Sequence, residues 1–175
     1  MSTFVSTPTA TTGSLCWSAL IGAVASARSM TPMAAIAAAR WAGREVPGRL
    51  WVLNHPAAQA GAVVMGVAEL FGDKMKSAPD RTVFLGLFAR VLSAGIAGAA
   101  LAPRGRERSG AALAVVTAVP LATLTLSVRR RVMSRISQTR SGLIEDAVVV
   151  VAAAVLVALS TARTARTVRT LHTSR

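Results

Sequence analysis

The stretch VFLGLFARVLSAGIAGAALA, residues 83–102, decides the fold. It carries a single charge, Arg90, and every other residue in it is apolar or small. Twenty such residues wound as an α-helix rise about 30 Å, the thickness of a bilayer's hydrocarbon core. Its β-branched residues do not alternate with polar ones, as a transmembrane barrel strand requires. A helix satisfies its own backbone groups, so it is the form such a segment takes in lipid.

The rest of the chain repeats the pattern. On the N-terminal side stand an apolar block from Ala57 to Gly72 and a longer one from Leu15 to Gly43. On the C-terminal side stand Ser109 to Val128, containing Pro120, and Gly142 to Ser160. The first block is interrupted at Arg28-Ser29-Met30-Thr31-Pro32. Pro32 removes a backbone donor and disfavours helix in the residue before it. As one straight helix this block would rise about 43 Å, more than the roughly 30 Å core needs. It is therefore one tilted, kinked span or two half-helices. The expected fold is all-α, a polytopic transmembrane helical bundle of five to six segments with the first helix broken at Pro32. Residues 15–162 form one transmembrane domain. A flexible Ser/Thr-rich N-terminal tail (1–14) precedes it and a basic C-terminal tail (163–175) follows.

Composition agrees. Of 175 residues 53% are hydrophobic and only 15% charged, where soluble domains carry about a quarter charged. Mean hydropathy is +0.52. Tyr is absent, which leaves Trp17, Trp41 and Trp51 as aromatic interface anchors. The net charge of +13 would suggest nucleic acid in a soluble protein. Here the arginines mostly lie between and after the apolar blocks, where they meet anionic lipid headgroups. No aromatic–basic interleaving offers a base-stacking platform. The expected partner is thus an anionic bilayer and not nucleic acid. With Cys16 the one cysteine, no intrachain disulfide can form. No Lys or Arg precedes Gly13, so a cleavable signal peptide is not expected. Ala- and Arg-rich usage suggests a bacterium, and hence its inner (plasma) membrane.

Five spans would place ten Lys and Arg on the side of the C-terminal tail and eight on the other. That small bias leans towards an outside N-terminus and an inside C-terminus. A split first block or a re-entrant fourth would change the count. Small residues recur at helical spacing: Gly22 and Ser26, Ala94 and Gly98, Gly95 and Ala99. Such pairs let helix backbones approach closely, although an Ala-rich chain also produces them by chance. Ser18 to Arg28 can be laid on the run from Ser93 at an offset of 75, and Glu69 on Glu145 at 76. This suggests an inverted repeat of the kind that builds transporters. Ala-rich helices align easily, which is the competing explanation.

Of seven acidic residues, Glu69, Asp73, Glu145 and Asp146 lie in or at the ends of apolar blocks. A charge at the bilayer centre costs about 2.5–3.5 kcal/mol on insertion scales, so it turns inward and pairs. The expected site is a cluster of Arg28, Glu69, Asp73, Arg90 and Glu145 inside the bundle. Thr31, beside the break, adds a hydroxyl and the start of a half-helix, where an anion is favoured. Alternatively these charges sit at helix ends and reach the headgroups, with Asp146 and Asp73 the readiest to do so. No cofactor or metal is expected. His55 falls in a loop and His172 in the tail, and neither has the neighbours of a transition-metal site. There is no Gly-rich phosphate loop.

Two segments resemble a known family. They are Ala27-Arg28-Ser29-Met30-Thr31-Pro32, and Ala68-Glu69-Leu70-Phe71-Gly72-Asp73-Lys74 with Ala78-Pro79-Asp80-Arg81-Thr82. Arg90, the run Ala94 to Leu101, and Glu145-Asp146 fit the same pattern. The chain is similar, from about residue 15 to 160, to the uncharacterised bacterial membrane proteins catalogued as domain of unknown function 4126. Lys76 stands where that family often has Pro. The resemblance implies a membrane protein and supplies no activity. The segment Gly72-Asp73-Lys74-Met75-Lys76-Ser77 also superficially resembles a stretch of membrane CDP-lipid synthases, whose further acidic and Gly-rich segments are missing here.

The expected function is passage of a small ion or solute through the charged cluster, with a homodimer helping to enclose the path. The second expectation is a non-transporting scaffold or accessory subunit of a larger membrane complex. A membrane-embedded lipid-modifying enzyme is a minor third.

Overall fold

The computed structural model describes residues 8–48, 50–72, 83–133 and 138–173. Every regular element among them is helical. In chain order these are α1 (Pro8–Ala27), α2 (Thr31–Trp41), α3 (Pro56–Gly72), α4 (Val83–Leu101), α5 (Glu107–Met133) and α6 (Gln138–Thr173). A short 3-10 turn, Trp51–Asn54, precedes α3.

The first apolar block is two helices, and the chain reverses between them. The Ser18 hydroxyl donates to the Gly98 carbonyl (2.8 Å). The Gly48 amide donates to the Ala100 carbonyl (2.9 Å). Both acceptors lie in the last turns of α4, so the chain enters α1 and leaves α2 at the same end of the bundle. Arg28, ten residues beyond Ser18, stands about 15 Å deeper. The α1–α2 unit is thus a helical hairpin whose tip lies level with Thr125 of α5, which donates to the Ser26 carbonyl, and with Asp146 of α6. A single kinked rod does not describe it.

Close packing holds the hairpin in place. A methyl group at Gly22 would overlap the Ala114 backbone, and one at Gly98 would overlap Ala114 and Gly110. Helices α1 and α4 therefore both lie tight against the start of α5. Gly22 and Gly98 came from two of the small-residue pairs in the sequence, and both mark real contacts. Gly95 does not, since a methyl there would meet only the Val115 side chain at an ordinary 3.6 Å. The core joins Ile21, Ala25, Ile36, Ala97, Leu101 and Ala118.

Two expected boundaries differ. Helix α1 begins at Pro8 and so takes in half of the stretch assigned to the N-terminal tail. Helix α6 runs to Thr173 and takes in most of the C-terminal tail. Two helical segments among the described residues are long and apolar enough to cross a membrane, Glu107–Thr125 and Asp146–Thr164. Only 22% and 28% of these windows are buried, so their apolar side chains mostly face outward. Shorter apolar helices span Leu15–Ala27, Pro56–Phe71 and Gly86–Leu101.

A candidate functional site at the hairpin tip

Helix α2 begins without a cap of its own. Its N-cap residue, Met30, makes no side-chain capping bond, and a proline stands in the first turn. The exposed amides of a helix start favour an acceptor, and a negative one most. Glu69 of α3 supplies it. Its Oε1 accepts from the Ser29 amide (2.9 Å) and the Ser29 hydroxyl (2.5 Å), and its Oε2 accepts from the Met30 amide (2.8 Å). Gly66, one turn earlier on α3, makes this reach feasible. A Cβ there would lie 2.6 Å from the Ala34 Cβ, so only glycine lets α3 approach α2 this closely.

Arg28, the last residue before the tip, is 3% exposed. Its Nη2 donates to the Asp146 carboxylate of α6, forming a buried ion pair. Its Nη1 donates to the Glu69 backbone carbonyl (3.4 Å). Val24, Val149 and Ala153 pack beside the pair and keep α1 against α6. One junction thereby ties the tip to α3 through Glu69 and to α6 through Asp146.

The expected cluster is assembled in part. Arg28 and Glu69 meet at the tip as anticipated. Thr31, the first residue of α2, is buried beside them, and its hydroxyl has no hydrogen-bond partner among the described residues. Arg90 is half-buried on α4. Asp73 lies outside the described residues. Glu145 is helical, but its side chain lies outside them too. A carboxylate outside the expected cluster, Asp146, reaches Arg28; the alternative reading would have placed it at the headgroups. A signal for Asp146 was present. Asp146, Val149, Ala153, Val157 and Ser160 are the buried face of α6, at the three- and four-residue spacing of one helix side. The half-helix start expected to favour an anion does hold one, the protein's own Glu69.

Between α2, α3 and α6 runs a cleft of about 490 Å³, lined by Ala, Val and Leu, with Thr31 at its inner end and Arg44 at its outer. No group of three or more His, Cys, Asp or Glu able to hold a metal occurs among the described residues. No protein-family model, curated protein or solved structure matches this chain.

Proposed function

We propose that this chain is a multi-pass protein of the bacterial inner membrane that moves a small ion past the charged junction at the hairpin tip. In this reading α3, α4, α5 and α6 cross the bilayer, and α1–α2 enters from one side and returns to it. The outward apolar faces of α3 to α6 support the membrane placement, with Phe71, Val116, Leu124, Val151 and Leu159 among the exposed side chains.

The observation that carries the proposal is the junction itself. A helix start, a carboxylate from a second helix and a buried Arg–Asp pair converge where the apolar segments of α1, α3 and α6 meet, and a buried charge there is retained at a cost. Broken helices of this kind line the sites of many transporters. Glu69 is held only by uncharged donors, the Ser29 and Met30 amides and the Ser29 hydroxyl, so it is the group a cation or proton would engage. Neutralising Glu69 weakens its hold on the α2 amides and loosens α2 from α3. That gives the tip two states for an ion to select between.

A scaffold reading has its own support, since both Glu69 oxygens and the Arg28–Asp146 pair are already engaged within the protein. Flux separates the two. Purified protein in liposomes with an internal pH-sensitive dye is challenged with imposed cation and anion gradients, beside Glu69→Gln. Cation or proton flux that disappears in the folded variant supports transport. No flux above protein-free liposomes from the folded wild type sinks it in favour of a scaffold.

A further inference from the structure

The cleft between α2, α3 and α6 has a second space beside its outer end. Its outer residue, Arg44, also lines a second, polar pocket of about 480 Å³ formed with Arg40 and Arg104. The two spaces adjoin at that one side chain, the first apolar and the second basic.

Local structure aims Arg44. Helix α2 ends in a Schellman turn. The Gly43 amide donates to the Arg40 carbonyl and the Arg44 amide to the Ala39 carbonyl, both at 2.9 Å. Gly43 takes φ +70° to close it, a conformation other residues resist. Arg104 comes to the same basic pocket from the turn after α4. Glu45 is the one carboxylate lining the pocket, against three guanidinium groups. Neither the Arg44 nor the Arg104 guanidinium has a hydrogen-bond or ion-pair partner among the described residues.

The depth of the apolar part is informative. From Thr31 to Ala39 α2 rises about 12 Å, close to one leaflet's share of the roughly 30 Å hydrocarbon core. Its floor is alanine, Ala34, Ala35 and Ala38, and its walls are Val63 and Val67 on one side and Val150 and Ala154 on the other. The volume falls within the range of small-molecule sites.

We propose that these two adjoining spaces together form a binding site for an anionic phospholipid, with one acyl chain lying along α2 in the apolar cleft and the phosphate held by Arg40, Arg44 and Arg104. Guanidinium groups match phosphate oxygens in geometry as well as charge. The inference rests on the membrane placement above and is independent of transport. The lipid would brace the hairpin, whose second arm is the floor of the cleft.

Native mass spectrometry of the detergent-solubilised protein tests it, titrating phosphatidylglycerol, phosphatidylcholine and, as soluble controls, glycerophosphoglycerol and inorganic phosphate. The expected result is one saturable phosphatidylglycerol per chain, with the other three markedly weaker. Arg44→Gln and Arg104→Gln should each weaken it about fivefold. Ala154→Trp should block it by filling the cleft. Val151→Trp, on the outer face of the same helix, should leave it unchanged. Equal binding of the two phospholipids, or undiminished binding in the doubly substituted Arg variant, overturns the proposal, as does soluble phosphate binding as tightly as lipid. A dimer without bound lipid that Ala154→Trp separates overturns it by naming a second copy as the occupant. Extraction of the chain from membranes by alkaline carbonate would defeat the membrane placement instead, a failure distinct from these.

Discussion

Glu69 caps a helix to which it does not belong. Its carboxylate gives the first turn of α2 the acceptor that Met30 lacks. Losing a cap costs about 0.5–2 kcal/mol, so Glu69→Ala should destabilise by that order. It should also speed hydrogen exchange at the Ser29 and Met30 amides, with Glu69→Gln intermediate because one carbonyl oxygen remains. Unchanged exchange at those two amides would refute the capping role. The Arg28–Asp146 pair makes a sharper prediction. Asp146→Ala removes the carboxylate that pairs with the buried Arg28 guanidinium and should cost about 3–5 kcal/mol in thermal or denaturant unfolding. Replacing both residues, Arg28→Met with Asp146→Leu, should recover much of that loss. A double variant no better than the single one would mean the pair acts through something other than charge. At this scale Arg28 and Glu69 were legible, because a charge in an apolar block must find a partner. Asp146 was harder to pick out, because its place on the buried face of α6 shows only once the neighbours of that helix are known.

Helix existence was readable from the apolar blocks, and the break at Pro32 from backbone chemistry. The reversal at the break was not. A proline reports that a helix stops and is silent on where the chain goes next. The direction comes from contacts remote in sequence, such as Ser18 with Gly98 and Gly48 with Ala100. The N-terminal tail was misjudged for a related reason. Ser and Thr favour caps and turns over helix interiors, yet residues from Pro8 onward are helical in α1. Packing at glycine gives a prediction at this scale. Gly22→Val has no room against the Ala114 backbone and Gly98→Val none against Gly110. Each should cost about 1–3 kcal/mol by overpacking. Gly61→Val, whose Cβ meets nothing within 4 Å, should be tolerated in the same unfolding assay. Gly43→Ala should cost about 1 kcal/mol through its positive φ. It should also weaken phosphatidylglycerol binding, since it shifts Arg44. A Gly43→Ala protein that binds lipid like the wild type would show that the turn does not position that side chain.

The whole molecule is organised by the hairpin. Its arms begin and end at one face of the bundle, its tip carries the buried Arg28 to the start of the apolar segment of α6, and α3 and α6 grip the tip from two directions. The proposed ion site and the proposed lipid site lie at the two ends of the same short helix, α2. Helices could be counted from the apolar blocks, but the end of the bundle at which each begins could not. Ten basic residues against eight is too even a split, and a hairpin that returns to its own side inverts the assignment of everything before it. With α1–α2 returning, the N-terminus shares a face with Arg44, Arg104 and the C-terminus. With five spans it would lie opposite them.

That difference is the most direct test of the account. In a Cys16→Ser background, single cysteines are placed at Ser2, Arg44, Arg104 and Ser174, and at Lys76 between α3 and α4. Each is labelled with a membrane-impermeant maleimide in intact and in permeabilised cells. The account predicts that the first four label alike and that Lys76→Cys labels with the opposite sidedness. Ser2→Cys grouping with Lys76→Cys, against the other three, would contradict it, because the chain would then pass straight through the bilayer at the break and the hairpin would not exist.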